Sequence, residues 1–425
     1  MSKAIEVAVV GGGAAGFFGA IAAAQNPLAR VTLYEAGPNP LSKVLISGGG
    51  RCNVTHHCFD PAQLVQNYPR GGKALRGAFS RFQPKDTVAW FQQRGVKLKT
   101  EADGRMFPVT DDSATIANCL TKAAQQAGVR VKVRSPISAI SKSDKSFELS
   151  LKSGKLRQTL SCDRLLLTTG SSPVGLRAAK ALGHTLEPSV PSLFTFNVAD
   201  KRLHQLSGVA VDPVGLKLKA EGLKPLVQTG PLLITHWGLS GPAVLKLSAW
   251  GARALHTQRY QATLLVNWLP ALTQEQVRTE LQATKAANGK KAIAAFSPFS
   301  PISKRLWQYL LARNAIEASL TWANLSKKQI NKLVQDLTQG SYAVMGKGSF
   351  KDEFVTCGGV RLKEVSFKTM ESRLCKGLYL AGEILDIDGI TGGFNFQSAW
   401  TTGWLAGQAI SKEASEITLH DCNDA

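Results

Sequence analysis

The order of elements at the amino terminus limits what this chain can fold into more than any other feature. An apolar run, Val7-Ala-Val-Val10, passes directly into Gly11-Gly-Gly-Ala-Ala-Gly16, a G-x-G-x-x-G that opens an alanine-rich helical stretch. A second apolar run, Val31-Thr-Leu-Tyr34, ends in Glu35. Strand, glycine turn, helix, strand and acid in this order make the dinucleotide-binding fingerprint of a parallel βαβ unit. Gly11 permits the tight bend, Gly13 lets bare backbone approach a pyrophosphate, and Gly16 lets the helix pack on the strand. Ala14 and Ala15 belong to the same turn, where unpaired helical N–H groups and a partial positive charge suit phosphate. Glu35 is placed to accept hydrogen bonds from ribose hydroxyls, although an acid at a strand end is also an ordinary surface residue. Val7 to Ala24 carries no charge, yet three consecutive glycines argue against a membrane span, and no charged region with a cleavage site argues for a secretion signal.

A complementary segment lies near the other end. Gly377-Leu-Tyr-Leu-Ala-Gly-Glu383 reads as a buried strand running to an acid, and Gly392-Gly-Phe-Asn395 as a glycine turn opening a helix that includes Trp400. Because this segment completes the amino-terminal turn, the nucleotide domain is expected to be discontinuous. Residues 1–191 alternate strands and helices, and Leu165-Leu-Leu-Thr-Thr-Gly170 suits a buried parallel strand whose tip, Thr169 and Gly170, approaches a ligand. Short alternating segments such as Val214-Gly-Leu-Lys-Leu218 and Ala262-Thr-Leu-Leu-Val266 make 192–270 an antiparallel, β-barrel-like insert. Helical spacing of Leu306, Tyr309 and Leu310, then Leu325, Ile330 and Leu333, makes 271–345 a helical insert, and 346–425 closes the first domain. The expected class is α/β, a Rossmann-like parallel-sheet domain with a barrel-like domain and a helical subdomain inserted.

Charge points to partners. The 425 residues carry 51 Lys and Arg against 30 Asp and Glu, a formal net charge of +21. Arg70, Lys73, Arg76, Arg81, Lys85, Arg94, Lys97 and Lys99 face the single acid Asp86 in their stretch, and eleven basic residues from Lys285 to Lys351 face only Glu317 and Asp336. Such blocks attract polyanions, though a solvated, colloidally stable surface is the simpler reading. Seven irregularly spaced cysteines fit a reducing, cytoplasmic location rather than a disulfide framework. No membrane partner is expected.

The motifs are similar to those of a known family. Gly11–Gly16, Lys43 with Ile46-Ser-Gly-Gly-Gly-Arg-Cys-Asn53, Asp103-Gly-Arg-Met-Phe-Pro108, Thr235-His-Trp-Gly-Leu-Ser-Gly-Pro242, Thr356-Cys-Gly-Gly-Val360 and Ala381-Gly-Glu through Gly407 resemble the BaiN/RdsA (YhiN-like) family of FAD-dependent oxidoreductases over nearly the whole chain. The resemblance implies FAD with its diphosphate on Gly11–Gly16 and its adenosine ribose on Glu35. Lys43, Ser47, Gly48, Gly49, Gly50, Arg51 and Asn53 would line the flavin side, and Ile137 would border the adenine. Gly382 and Glu383 would address the ribityl chain or diphosphate. Gly392, Gly393, Phe394 and Asn395 would set a helix N-terminus at the flavin pyrimidine edge, where negative charge collects on reduction.

Two side chains are candidates for proton transfer. Cys52, beside the flavin loop, could protonate a substrate carbon, or be a small packing residue. His236 is a second acid–base candidate, or an ordinary structural histidine. Cys52-Asn-Val-Thr-His-His-Cys58 lacks a matching ligand pair elsewhere, so no metal site is expected. No second G-x-G-x-x-G follows a strand, so NAD(P)H would bind transiently as electron donor. The family implies three substrates: uridine in ribosomal RNA, a steroid-like bile acid, or a small amine such as aminoacetone. The basic blocks favour RNA. The alternatives are a small-molecule oxidase or reductase, and a flavin-containing RNA-binding factor without catalysis.

Overall fold

The computed structural model describes residues 4–144, 146–153, 156–348 and 355–423; Lys351 of the second basic block lies outside them. The chain forms two compact units, Met1–Ser189 with Thr356–Ala425, and Val190–Val355.

The first unit is built on a five-stranded parallel sheet in the order Leu378–Leu380, Arg164–Leu167, Ile5–Val10, Ala29–Tyr34, Arg130–Lys132. Val7–Val10 and Leu165–Leu167 are buried throughout, which is why both read as unbroken apolar runs. From the first strand the chain moves to one side for two strands, then crosses back to Arg164–Leu167 on the other side. The order therefore reverses between Ile5–Val10 and Arg164–Leu167, and in open α/β sheets the crevice beyond the carboxyl ends of such strands is where ligands bind. Ile137–Lys142, Phe147–Ser153 and Leu156–Cys162 form a separate antiparallel sheet.

The first helix, Ala14–Ala23, and the closing helix, Phe394–Asn423, cross with their backbones almost touching. A methyl group built on Gly403 would lie 2.5 Å from the Ala15 carbonyl oxygen, and one on Gly407 2.4 Å from that of Gly19. Glycines four apart leave no side chain to separate the two backbones. Further along, Glu413 of the closing helix accepts two hydrogen bonds from Arg164, at 2.7 and 2.6 Å, and one from the Tyr379 hydroxyl at 2.9 Å. Both partners lie on sheet strands, so this pair pins the helix to the sheet.

The second unit holds a closed six-stranded barrel in the order Phe196–Val198, Gly238–Ser240, Leu226–Thr235, Ala210–Lys219, Ala262–Asn267, Gly340–Lys347. Val214, Leu216, Leu218, Leu264, Val266, Tyr342 and Val344 fill its core. Helices Gln274–Ala287, Lys304–Arg313 and Lys327–Gln339 lie between the fifth and sixth strands in sequence. The sixth strand begins inside the span 271–345 that the sequence assigned to helices and ends just beyond it. Helix Lys327–Gln339 passes into it at Gly340 without a loop, so a single glycine marks the change, and the alternation of buried Tyr342 and Val344 with exposed Ser341 and Ala343 reports the strand.

The Glu413 contact sets a pH-dependent stability. Burial disfavours the Glu413 carboxylate, but the Arg164 hydrogen bonds and charge outweigh it and hold the carboxyl below its ordinary range. A depressed carboxyl contributes stability above its unfolded value, near ~4.3, that is lost as pH falls through the folded one. Glu413→Gln should therefore cost about 1–3 kcal/mol at pH 7, and urea unfolding should show the difference shrinking below about pH 4.

Candidate functional site

The site assembles where the parallel sheet reverses its order. Gly11 takes φ +111°, and a methyl group there would lie 2.5 Å from the Thr168 carbonyl oxygen. One on Gly16 would meet the Gly11 carbonyl oxygen at 2.0 Å. These two glycines are required by packing alone. Gly13 differs: it caps the first helix without a side-chain bond, and a methyl group there meets nothing within 4 Å. Bare backbone at Gly13 thus faces open space where the helix begins, while Ala15 of the same turn is buried. Glu35 accepts from the Gly12 N–H at 2.7 Å and from the Gly37 N–H at 2.7 Å. Its carboxylate fixes the glycine turn as well as standing at its edge, a role the spacing did not reveal.

A second group gathers Lys43, Gly170, Gly382 and Glu383 from three distant segments. Lys43 Nζ lies 2.6 Å from Glu383 Oε2, and Glu383 Oε1 accepts from the Thr356 N–H at 2.9 Å. A methyl group on Gly170 would come within 3.5 Å of the same carboxylate, and one on Gly382 within 2.9 Å of the Ala15 Cβ. The Gly382 N–H donates to Thr402 Oγ1 of the closing helix at 2.9 Å. Beside Gly170, the Thr169 hydroxyl is buried and has no hydrogen-bond partner among the described residues.

The third element is a broken helix. Ser42–Gly50 turns extended at Ser47, and Gly48, Gly49 and Gly50 then take φ +59°, +69° and +82°. Three successive left-handed residues are accessible only to glycine at low cost. Methyl groups on Gly49 or Gly50 would meet nothing within 4 Å, so this loop too presents bare backbone to open space. Arg51 is held at its root: its guanidinium sits 4.0 Å above the Phe107 ring, 2.7 Å from Glu101 and 3.5 Å from Asp111. Cys52 takes φ +60° and is completely buried. Burial pushes its thiol up to about 12, against a hydrogen bond to Ser47 that works the other way. It stays neutral across the physiological range, and enclosure favours the packing role over exchange of protons with solvent.

The broken helix is tied to the closing helix by consecutive residues. With its amide oriented to satisfy both neighbours, Asn53 donates to the Thr55 carbonyl at 3.1 Å and accepts from the Gly393 N–H at 3.0 Å. The Trp400 indole N–H donates to the Val54 carbonyl at 2.9 Å, and the Thr55 hydroxyl to Gln397 at 2.6 Å. His56 Nδ1 lies 3.0 Å from the Gly392 carbonyl oxygen, and its ring stacks on Phe394 at 4.6 Å. Asn395 both accepts from and donates to the Gly389 backbone. Arg70 makes a bidentate ion pair with buried Asp388. Sequence spacing missed His56, Arg70 and Asp388, because each is defined by a partner more than 300 residues away.

Two further candidates are carried by other elements. Ile137 is buried in its antiparallel sheet, opposite Leu151. His236 belongs to the second unit, exposed at the turn between Leu226–Thr235 and Gly238–Ser240. Among the described residues no cluster of three or more His, Cys, Asp or Glu could hold a metal, and no helix is long and apolar enough to cross a membrane. Ser372, His184 and Glu364 form a hydrogen-bonded chain at 2.9 and 3.0 Å that has the outline of a nucleophile triad. The Ser372 hydroxyl, however, accepts from the Leu374 and Cys375 N–H groups and is buried, so the chain braces a turn instead of activating an attacking oxygen.

Comparison with known proteins places this geometry. The model of the HI0933-like protein Rossmann domain matches residues 5–409. The chain belongs to this family. Two relatives are similar to the present HI0933-like chain over nearly all of both lengths. A 3-dehydro-bile acid delta(4,6)-reductase of Clostridium scindens is 30% identical over 96% of this chain and 99% of its own. A ribosomal RNA dihydrouridine synthase of Escherichia coli is 31% identical over 95% and 98%. The resemblance to the BaiN/RdsA family holds. Among solved structures, the 3-ketosteroid-delta4-(5alpha)-dehydrogenase of Rhodococcus jostii RHA1 superposes with a TM-score of 0.51 at 14% identity, covering 96% of this chain and 97% of that one. That likeness is one of fold.

Burial of Cys52 predicts its reactivity. In the native protein at pH 8 it should resist iodoacetamide and be alkylated only on unfolding, whereas half-buried Cys58 and Cys375 should react first. Peptide mass spectrometry distinguishes them, and rapid native alkylation of Cys52 would contradict the enclosure described above.

Proposed function

We propose that this HI0933-like protein is an FAD-dependent oxidoreductase that takes electrons from NAD(P)H and reduces a carbon–carbon double bond, with uridine in ribosomal RNA as substrate. One observation carries the cofactor reading. Bare backbone faces open space at Gly13, which follows the strand at the reversal point of the sheet, and at Gly49–Gly50, two parts of the sequence that both pack on the closing helix or the turn before it. A Cβ at any of the three would meet no protein atom within 4 Å; positive φ calls for glycine at Gly49 and Gly50, but at Gly13, with φ −88°, neither packing nor conformation does, whereas a diphosphate lying against the backbone would.

On this reading the residues divide the work. Gly13–Gly16 would hold the diphosphate by N–H groups and helix dipole. Glu35 would accept from the adenosine ribose while keeping its bonds to Gly12 and Gly37. Lys43 keeps Glu383 paired, which offsets the repulsion of a carboxylate set near phosphate. Ser47–Asn53 and Gly392–Asn395 would border the ring, and Ile137 the adenine. When bound, flavin supplies the hydride chemistry: NAD(P)H and a proton are consumed, and hydride and proton add to adjacent carbons of the double bond. Cys52 and His236 remain the candidate proton donors.

The substrate reading rests on charge together with the relatives' names. Lys73, Arg76, Arg81, Lys85, Arg94 and Lys97 are exposed on or beside Gly72–Phe79 and Pro84–Gln92. Arg70 and Lys99 are taken by Asp388 and Asp111, so six of the eight cations of this block face solvent. Fixed cations of this kind favour phosphate backbone. The bile-acid reductase among the relatives supports a second reading, a small unsaturated substrate. Purified protein should release FAD on heating and bleach anaerobically with NADH or NADPH. Ribosomal RNA from cells lacking the protein should lose dihydrouridine. Absence of flavin would overturn the cofactor reading, and unchanged RNA nucleosides would turn the assignment to the small-molecule substrate.

Glycine substitutions separate packing from binding. Gly13→Ala should leave stability within about 0.5 kcal/mol, because φ is −88° and space is open, yet weaken FAD at least about ten-fold by equilibrium titration. Gly16→Ala should instead unfold the first unit, and equal behaviour of the two would contradict the division.

A further inference from the structure

The carbonyl of Gly392 and the N–H of Gly393 belong to one peptide group, and each is held by a side chain from the same short segment. His56 Nδ1 meets the carbonyl at 3.0 Å, and Asn53 accepts from the N–H at 3.0 Å. A carbonyl can only accept, so Nδ1 must carry the proton in this contact. Gly392 and Gly393 take φ +129° and +89°, and a Gly–Gly peptide has no Cβ on either side to oppose a rotation of its plane. Such a rotation would exchange an oxygen for an N–H at the start of the closing helix.

The ring of His56 is itself confined. A methyl group on Gly104 would lie 2.6 Å from its Nε2, and one on Gly392 3.3 Å from its Nδ1, while Phe394 stacks on its face at an interplanar angle of 28°. Its backbone is fixed by pairing with Arg105. Two glycines and one aromatic ring therefore leave the imidazole a single place, with Nδ1 aimed at the Gly392 oxygen.

We propose that His56 is a positioning residue that, with Asn53, clamps the Gly392–Gly393 peptide against flipping and so fixes the polarity of the closing helix's N-terminal turn. The consequence for flavin rests on the function proposed above; the clamp itself does not. In the ligand-free protein, Gly393 is protected from hydrogen exchange only while its N–H points at Asn53. His56→Phe keeps the stack and removes the donor. His56→Asn puts an amide nitrogen close to where Nδ1 stood.

Hydrogen exchange followed by mass spectrometry across residues 390–397 of the apoprotein tests this. The expected result is exchange at least about ten-fold faster in His56→Phe, confined to this segment, with His56→Asn near the parent; ten-fold corresponds to about 1.4 kcal/mol of lost protection. A merely structural loss would instead accelerate the whole closing helix. In the flavin-loaded protein, His56→Phe should shift the two-electron reduction equilibrium about ten-fold, ~30 mV, and His56→Asn should restore it. Parental exchange in His56→Phe, or acceleration along the entire helix, overturns the clamp. A chain that carries no flavin would sink the proposed function while leaving the exchange result decisive.

Discussion

Everything in the candidate site depends on how closely two helices approach. Gly403 and Gly407 of the closing helix lie against Ala15 and Gly19 of the first, at distances where even a methyl group would overlap carbonyl oxygens. This contact joins the two ends of the sequence. It carries the Gly382–Glu383 and Gly392–Asn395 turns to the amino-terminal glycine turn, although nearly four hundred residues separate them. The Arg164–Glu413–Tyr379 contact then fixes the far end of the closing helix to the sheet.

Around that crossing the chain spends polar side chains on backbone. Glu35 secures Gly12, Asn53 secures Gly393, and Asn395 secures Gly389. Glycine turns are cheap to bend and costly to order, since glycine loses the most conformational freedom on folding. A site made of bare backbone therefore needs side chains from elsewhere to hold each turn in one conformation. The same economy explains Gly104, which leaves room for His56.

The parts of the fold legible in the sequence were those governed by short-range rules. Gly11–Gly16 announced a βαβ turn, Leu165–Leu167 a buried parallel strand, and Gly392–Gly393 a helix start, because local conformation and burial dictate residue type there. The barrel was legible in Val214–Leu218 and Ala262–Val266 by alternation. Its sixth strand was not, since Gly340 joins it to a helix without a break. Glu35 was legible as an acid at a strand end but not as a clamp on Gly12. His56, Arg70 and Asp388 were invisible for one reason: their significance lies in a partner brought close only by the crossing of the first and closing helices, and spacing along the chain holds no record of it.

The most direct test of that crossing is FAD retention in Gly403→Ala, measured by absorbance after purification beside the parent. A methyl group 2.5 Å from the Ala15 carbonyl must push the helices apart, at about 1–3 kcal/mol, and the account predicts at least about ten-fold weaker FAD with helix content preserved. Full retention of FAD, with its spectrum unchanged, would contradict the claim that this backbone contact assembles the site.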